Sequence, residues 1–267
     1  MRKVRQGGIN MLSGIDISNH QAPMDFGDVD FVIMKASEGK SYKDARLDQH
    51  YNNIGNKLYG FYHYARPDTG NTPEEEADWF LSLVGHHAGK CIFALDWEGK
   101  SLNNYRSDWA LSWLRRVYAK TGVKPLIYLQ SSEVMTGKYA NIASEDYGLW
   151  IAHWDARQPK YKDFNVWAIW QYIVNVVDRD YFNGDREAWL KYCSKHSSNN
   201  PPTVSDKELK IGDTVQVRTR MDYNNVKNDA WVLDSNFKVM GINGDRIVIG
   251  NGIGITGAWR RDSIRKV

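Results

Sequence analysis

The sequence predicts an α/β fold, an eight-stranded barrel with helices on its outside, followed by a small all-β unit. Three observations predict it. Strand-like and helix-like segments alternate over residues 13–193; several strands run from apolar residues straight into acids or aromatics; and beyond the polar stretch SSNNPPTVSD the pattern changes to short β-runs broken by Asn-Gly and Gly-rich turns.

Strands are expected at 14–18, 31–37, 58–65, 91–98, 125–130, 149–154 and 166–172, with a short eighth at 176–178. Eight is the number that closes such a barrel. Helical patterns fall at 46–57, 73–85, 104–121, 131–138 and 183–195. The second of these opens with Thr72 as N-cap, Pro73 at the first position and Glu74 to Glu76 in the first turn. Between residues 149 and 178 there is little room for helices, so the second half of the barrel is expected to be helix-poor. In the tail, DTVQVRT, AWVLD, FKVMGINGDRIVIG and AWRRDSI read as the strands of a small barrel. The domain layout is therefore a leader at 1–12, a catalytic-sized domain at 13–196, a linker at 197–206 and a β module at 207–267.

A chain of 267 residues with 42% hydrophobic side chains can bury a core in one large and one small domain. No run of 18 apolar residues occurs, so no membrane-spanning helix is expected. The opening MRKVRQGGIN is basic but not followed by an apolar run, so no secretory signal is read; Met11 is an alternative start, or the leader a cloning remnant. The two cysteines, Cys91 in a strand and Cys193 in a helix, suit a reduced, cytosol-made protein and lack zinc spacing. Residues 207–267 carry 11 basic and 7 acidic side chains, against 24 and 25 in residues 1–206. The basic excess of the tail points to an anionic partner surface.

The stretch CIFALDWEG carries the chemistry. Side chains alternate along a strand, so Ala94, Asp96 and Glu98 share one face while Phe93, Leu95 and Trp97 share the other. Two carboxylates on one face, roughly 7 Å apart, repel, and at least one is expected to hold its proton more tightly, as a general acid near neutral pH must. Asp16, Glu38 and Asp178 fall at other strand ends, making five carboxylates at the rim where barrel enzymes place their chemistry. An ion pair for Glu38 and a turn role for Asp178 are the plainer readings. Tyr62, Tyr64 and Arg66 share a face taken as inward, joined by Tyr128, Trp150, Trp154 and Gln171. Aromatic faces stack on sugar rings and amides or carboxylates bind hydroxyls, so the mixture suits a polysaccharide groove. Trp97, Trp109, Trp113, Trp167 and Trp170 are assigned to the core. A metal site of His20, His63 and His153 with Asp16 and Asp96 competes, but His63 and His153 have outward parity.

Taken in order, GIDISNHQ, VIMKASEG, GFYHYARP, FALDWEG, LWIAHWD and WQY followed by VDRDYF resemble the glycoside hydrolase family 25 muramidases, the Chalaropsis-type lysozymes of bacteria and phages. The resemblance spans residues 13–193. It implies a (β/α)5β3 barrel and hydrolysis, without a metal or other cofactor, of the β-1,4 bond between N-acetylmuramic acid and N-acetylglucosamine in bacterial peptidoglycan. By motif it makes Asp16, Asp96, Glu98 and Asp178 the catalytic acids, with Glu98 the proton donor; Asp180, two residues on, also fits the place of Asp178. Asp96 then orients the 2-acetamido group or activates water. A retaining, an inverting and a substrate-assisted course all stay open.

The tail resembles bacterial SH3-type wall-binding modules of phage endolysins, through GDTVQVRT, GDRIVIG and AWRRDSI. It implies a cell-wall peptide or an anionic wall polymer as the module's partner, with neither nucleic acid nor membrane insertion. An endolysin made in the host cytoplasm and released through a phage holin is the expected setting, with a bacterial autolysin exported by another route as the alternative. A non-catalytic carbohydrate-binding protein and a metal-dependent wall amidase are the rivals.

Overall fold

The chain divides into two compact units, residues 1–198 and 199–267. The structure, a computed structural model, describes all residues except 1–4, 7–8, 23, 103–106, 156, 196–208, 225, 244–245, 252–253 and 267. The expected linker at 197–206 and part of the leader therefore lie outside the described residues.

In the first unit eight strands close into a barrel: β1 (Leu12–Ile17), β2 (Phe31–Glu38), β3 (Leu58–Tyr64), β4 (Ile92–Asp96), β5 (Leu126–Gln130), β6 (Gly148–Ala152), β7 (Trp167–Ile173) and β8 (Asp178–Phe182). From β1 to β7 each strand pairs in parallel with the next. β8 is antiparallel to both β7 and β1 and completes the ring. The expected strand at 176–178 is thus displaced to 178–182. Residues 174–177 are too short for a crossover, so the chain must turn back on itself as a hairpin. Met11 is buried and Leu12 already belongs to β1, so the ordered barrel begins inside the stretch set aside as a leader.

Helices follow the first strands: α1 (Leu47–Asn52), α2 (Pro73–Val84), α3 (Ser107–Thr121), then the single turns α4 (Ser131–Val134) and α5 (Ala140–Ala143). Among the described residues no helix lies between β6 and β8. α2 begins with the expected device. Thr72 accepts from the Glu75 N–H, and the Glu75 carboxylate accepts from the Thr72 N–H, with Pro73 in the first turn. Its Ala77, Phe80 and Val84 face the sheet, as do Ala110, Trp113, Leu114 and Val117 of α3. They meet Phe93, Leu95 and Trp97 from the outer face of β4 and its continuation. Each fully buried side chain of this size stabilises the fold by about 1.5–3 kcal/mol.

The inner face holds a separate core of Phe31, Ile33, Leu58, Ile92, Ala94 and Leu126, roofed by Tyr128 and Trp150. Gly14 is required by that core: a Cβ there would fall 2.2 Å from the Phe31 ring. The residues that open β2 to β5 mark the N-terminal mouth, and α6 (Arg186–Cys193) plugs it. Trp189 packs on Phe31 and Phe182 at 4.6 and 5.1 Å between ring centroids, and Cys193 joins the same cluster. No helix among the described residues is long and apolar enough to cross a membrane.

The second unit is a five-stranded antiparallel sheet of β9 (Thr214–Val217), β10 (Phe237–Asn243), β11 (Arg246–Gly250), β12 (Ile255–Arg260) and β13 (Ile264–Lys266), in the order β12-β11-β10-β9-β13. Val215, Val217, Phe237, Val239, Ile247, Ile249 and Trp259 form its core. AWVLD, expected as a strand, is a 3-10 helix over Ala230–Asp234. Of its three central apolar residues only Val232 is buried, while Trp231 and Leu233 stay exposed. With three residues per turn one side chain reaches the core where a strand would bury alternate ones.

Candidate active site

The C-terminal mouth of the barrel gathers the acids. β4 ends at Asp96, and Glu98 lies two residues beyond it on the same side, as the alternation requires. The Trp97 N–H still bonds the Tyr128 carbonyl, so the strand pattern persists far enough to hold that parity. Gly99 then turns the chain away at φ +58°, where a Cβ would stand 2.6 Å from the Tyr64 hydroxyl. Asp178 of β8 is the register partner of Asp16 on β1, and Asp180 faces Gly14 two pairs deeper. Asp16, Asp96 and Asp180 are buried; Glu98 and Asp178 reach the surface of the mouth.

Donors and acceptors settle the orientation of the wall. Gln171 takes hydrogen bonds on Oε1 from the Tyr128 hydroxyl and the Trp154 indole N–H, both at 3.1 Å. Its Nε2 therefore donates to Asp16 Oδ2 at 2.8 Å. Trp150 donates from Nε1 to Asp180 Oδ1 at 2.9 Å. Gln130 reaches Glu98 Oε2 from Nε2 at 3.4 Å. Tyr62 packs edge-on against Trp150, and Trp154 is 54% exposed, a free aromatic face at the rim.

All five acids of the β1, β4 and β8 ends hold their protons more tightly than free carboxyls. Burial is the first cause in each. Asp16 is pushed up to about 7, with the charge of Asp178 adding to burial. Asp96 is raised well above its ordinary value by burial and then by Glu98. Glu98 is raised by burial and Asp178, against the opposing pull of Gln130 and Lys35. For Asp178 burial outweighs the hydrogen bond it accepts from the Asn175 N–H, so the turn role expected for it coexists with its place at the mouth. Charges this close titrate as a group, and the cluster keeps protons into the neutral range.

Glu38 differs from the others. Burial alone would raise it, yet Lys35 at 2.7 Å and Arg66 at 2.7 Å hold it below the usual carboxylate range. The plain reading of Glu38 as an ion-pair partner is the observed one. It faces the mouth because of a β-bulge. Lys35 pairs with Tyr62 and Ser37 with His63, which leaves Ala36 as an extra residue and reverses the parity of β2, so Glu38 lines up with Tyr64. Lys35 stands on this face by regular alternation with Phe31 and Ile33, its ammonium 4.9 Å from the Tyr64 ring centre. Strict alternation does not place Lys35 and Glu38 on one face, and Lys35, Gln130 and the bulge itself escaped the sequence reading. The signal for Lys35 is a lysine in an otherwise apolar strand; the bulge has no local one.

His63 and His153 lie on the outer face, as their parity demands. His63 is buried between Ser37 Oγ and Glu76 Oε2, each at 2.8 Å, and His153 bonds Ser131. Burial lowers the proton affinity of the His63 imidazole against the pull of Glu76, and the ring serves as a hydrogen-bonded tie between β2, β3 and α2.

A barrel with acids on β1, β4 and β8 around a single mouth invites comparison with known families, and the profile of the glycosyl hydrolases family 25 matches residues 15–181. The chain belongs to this family. Lysozyme M1 of Streptomyces globisporus is 30% identical over 203 residues, 65% of this chain and 68% of that protein. The lysozyme of Streptomyces coelicolor superimposes with a TM-score of 0.61 at 27% identity, covering 70% of this chain and 98% of its own. The CTP1L endolysin superimposes at 0.55 and 27% identity over 68% of this chain and 69% of that one. As a family 25 member the chain is a glycoside hydrolase, a muramidase of the lysozyme type.

Proposed function

We propose that this muramidase cleaves the β-1,4 bond from N-acetylmuramic acid to N-acetylglucosamine with Glu98 as the general acid. The observation that carries the reading is a contrast in exposure: Glu98 reaches the surface of the mouth, its proton affinity raised by burial, while Asp96 is buried behind it. The Glu98 carboxyl gives its proton to the glycosidic oxygen as the bond from C1 breaks, and the N-acetylglucosamine side leaves with a free 4-hydroxyl. Asp96 Oδ1 is buried and accepts no hydrogen bond from the described residues. It is set to accept one from the substrate, either the 2-acetamido N–H or the attacking water. Asp16 and Asp178 add negative charge where the sugar ring becomes oxocarbenium-like. Trp154, Tyr62, Tyr64, Tyr128 and Trp150 supply the aromatic wall, with Gln171 fixing three of the polar contacts.

The second unit serves in this reading as an SH3-type anchor on the wall, taking a wall peptide or an anionic wall polymer. Its basic excess and the exposed Trp231 support that role. Two guanidinium groups, of Arg246 and Arg260, also lie 5.8 and 5.3 Å from the ring centre of Tyr223. Tethering raises the local concentration of substrate at the barrel. The likeness to an endolysin supports a phage-type lytic enzyme that is made in the host cytoplasm and reaches the wall through a separately made membrane pore.

The test is digestion of purified peptidoglycan by the wild type and by Glu98→Gln, with chelator present, followed by mass analysis and identification of the reducing ends. New reducing N-acetylmuramic acid ends are expected from the wild type, and about 10²–10⁴-fold fewer per unit time from the variant. Cut peptides on intact glycan would replace the muramidase reading with an amidase.

A further inference from the structure

We propose that Asp180 is a positioning residue that remains protonated and donates a hydrogen bond to Asp16, leaving Asp16 as the charged member of the pair. The argument is one of donors and acceptors. Asp180 is 0% exposed, and the Trp150 indole N–H, which can only donate, claims its Oδ1. The other oxygen, Oδ2, is buried and receives no N–H or O–H from any described residue. A bare carboxylate oxygen in that position is strongly disfavoured. Asp180 and Asp16 are close neighbours on the inner face of β8 and β1, and each carboxyl feels the other. A hydrogen bond between two carboxyls requires that one of them carry a proton.

Which one carries it follows from the surroundings. Asp16 Oδ2 accepts from Gln171 Nε2, whose orientation is fixed by two donors on its Oε1. Asp16 also stands nearer the open mouth, where a negative charge is better solvated, while Asp180 lies two register pairs deeper opposite Gly14. The groups that face the pair are Asp178 on β8, Asp96 and Glu98 at the end of β4 and the neutral phenols of Tyr62 and Tyr128, while the Lys35 ammonium on β2 faces Asp96 and Glu98. Acids outnumber the one ammonium, which disfavours a second charge on the pair. A proton on Asp180 Oδ2 satisfies the orphaned oxygen and holds the Asp16 carboxylate in place from below while Gln171 holds it from the side. It also gives Asp178 and Asp180 separate tasks. Asp178 reaches substrate, and Asp180 acts through Asp16.

The placement of the proton is tested without substrate, so its failure is distinguishable from failure of the muramidase reading. Infrared spectra of the full chain at pH 7 are compared for the wild type and the isosteric Asp180→Asn. The difference is expected to show loss of one protonated-carboxyl C=O band. An unchanged band intensity would overturn the proposal, because the proton would then reside on another acid. Activity supplies the second arm. Asp180→Leu, which keeps the branched outline, though larger, and removes the donor, is expected to lower kcat/KM by about 10–100-fold. Asp180→Asn, whose amide still donates, is expected to recover most of that loss. If Asp180→Asn is as impaired as Asp180→Leu, the negative charge of Asp180 is what matters and the proposal is wrong.

Discussion

The two mouths of one barrel are built to opposite rules. At the N-terminal mouth α6 drives Trp189 between Phe31 and Phe182, and the interior there is apolar and filled. At the C-terminal mouth the same strands end in acids, two of which, Asp96 and Asp180, keep an oxygen buried without a donor. The first mouth stabilises the fold and the second opposes it. Stability from one end thereby offsets electrostatic strain at the other, where a substrate must find groups that are not already satisfied.

The comparison can be broken most directly at the plug. Trp189→Ala empties the N-terminal mouth and is expected to lower unfolding free energy by about 3–5 kcal/mol in a denaturant melt. Specific activity of the molecules that remain folded should stay near wild type, since no acid is touched. A large loss of activity at unchanged stability would mean that the two ends are coupled.

The opposite manipulation is Asp16→Asn. The folded protein raises the Asp16 carboxyl to about 7, so it holds this proton more tightly than the unfolded chain does. The contribution of Asp16 to stability is therefore full below about pH 4 and is lost as pH rises through about 7. Thermal melts should show Asp16→Asn more stable than the wild type at pH 8, by on the order of 1.4 kcal/mol for each pH unit separating the two carboxyl values. At pH 4 the two proteins should melt nearly alike, and activity should fall. Equal melts at both pH values would show that the acids at this mouth do not strain the fold.

The smallest effect is expected where neither mouth is involved. Trp231→Ala in the second unit should change stability by less than about 0.5 kcal/mol, as exposed positions generally do. Retention on sedimented cell walls should nevertheless weaken, and rising salt should weaken it further if basic groups contribute. Unaltered retention would remove Trp231 from the proposed anchor.

Period-two reasoning read the mouth well wherever the strands are regular. Ala94, Asp96 and Glu98 on one face and Phe93, Leu95 and Trp97 on the other needed nothing beyond alternation, and Tyr62, Tyr128 and Trp150 followed from the same rule. What stayed illegible came from irregular backbone and from pairing between distant segments. Ala36 inserts one residue and swings Glu38 to the face of Lys35, and nothing local in VIMKASEG announces a bulge. Asp178 and Asp180 are adjacent members of one strand face with equal chemistry, and only the pairing with Asp16 and Gly14 separates their depths. In AWVLD the residue types favour a strand, and the burial of Val232 alone overrides them.

The antiparallel eighth strand has a consequence for the newborn chain. Until residues 178–182 have emerged, β1 and β7 are open edges, and Phe182 is the residue that must find Leu12 at the far end of the sequence. Contacts of such long separation form late and slowly. The acids of β1 and β4 are consequently synthesised well before Asp178 and Asp180 can join them, and a ribosome-bound nascent chain cannot assemble the cluster until nearly the whole barrel has been translated.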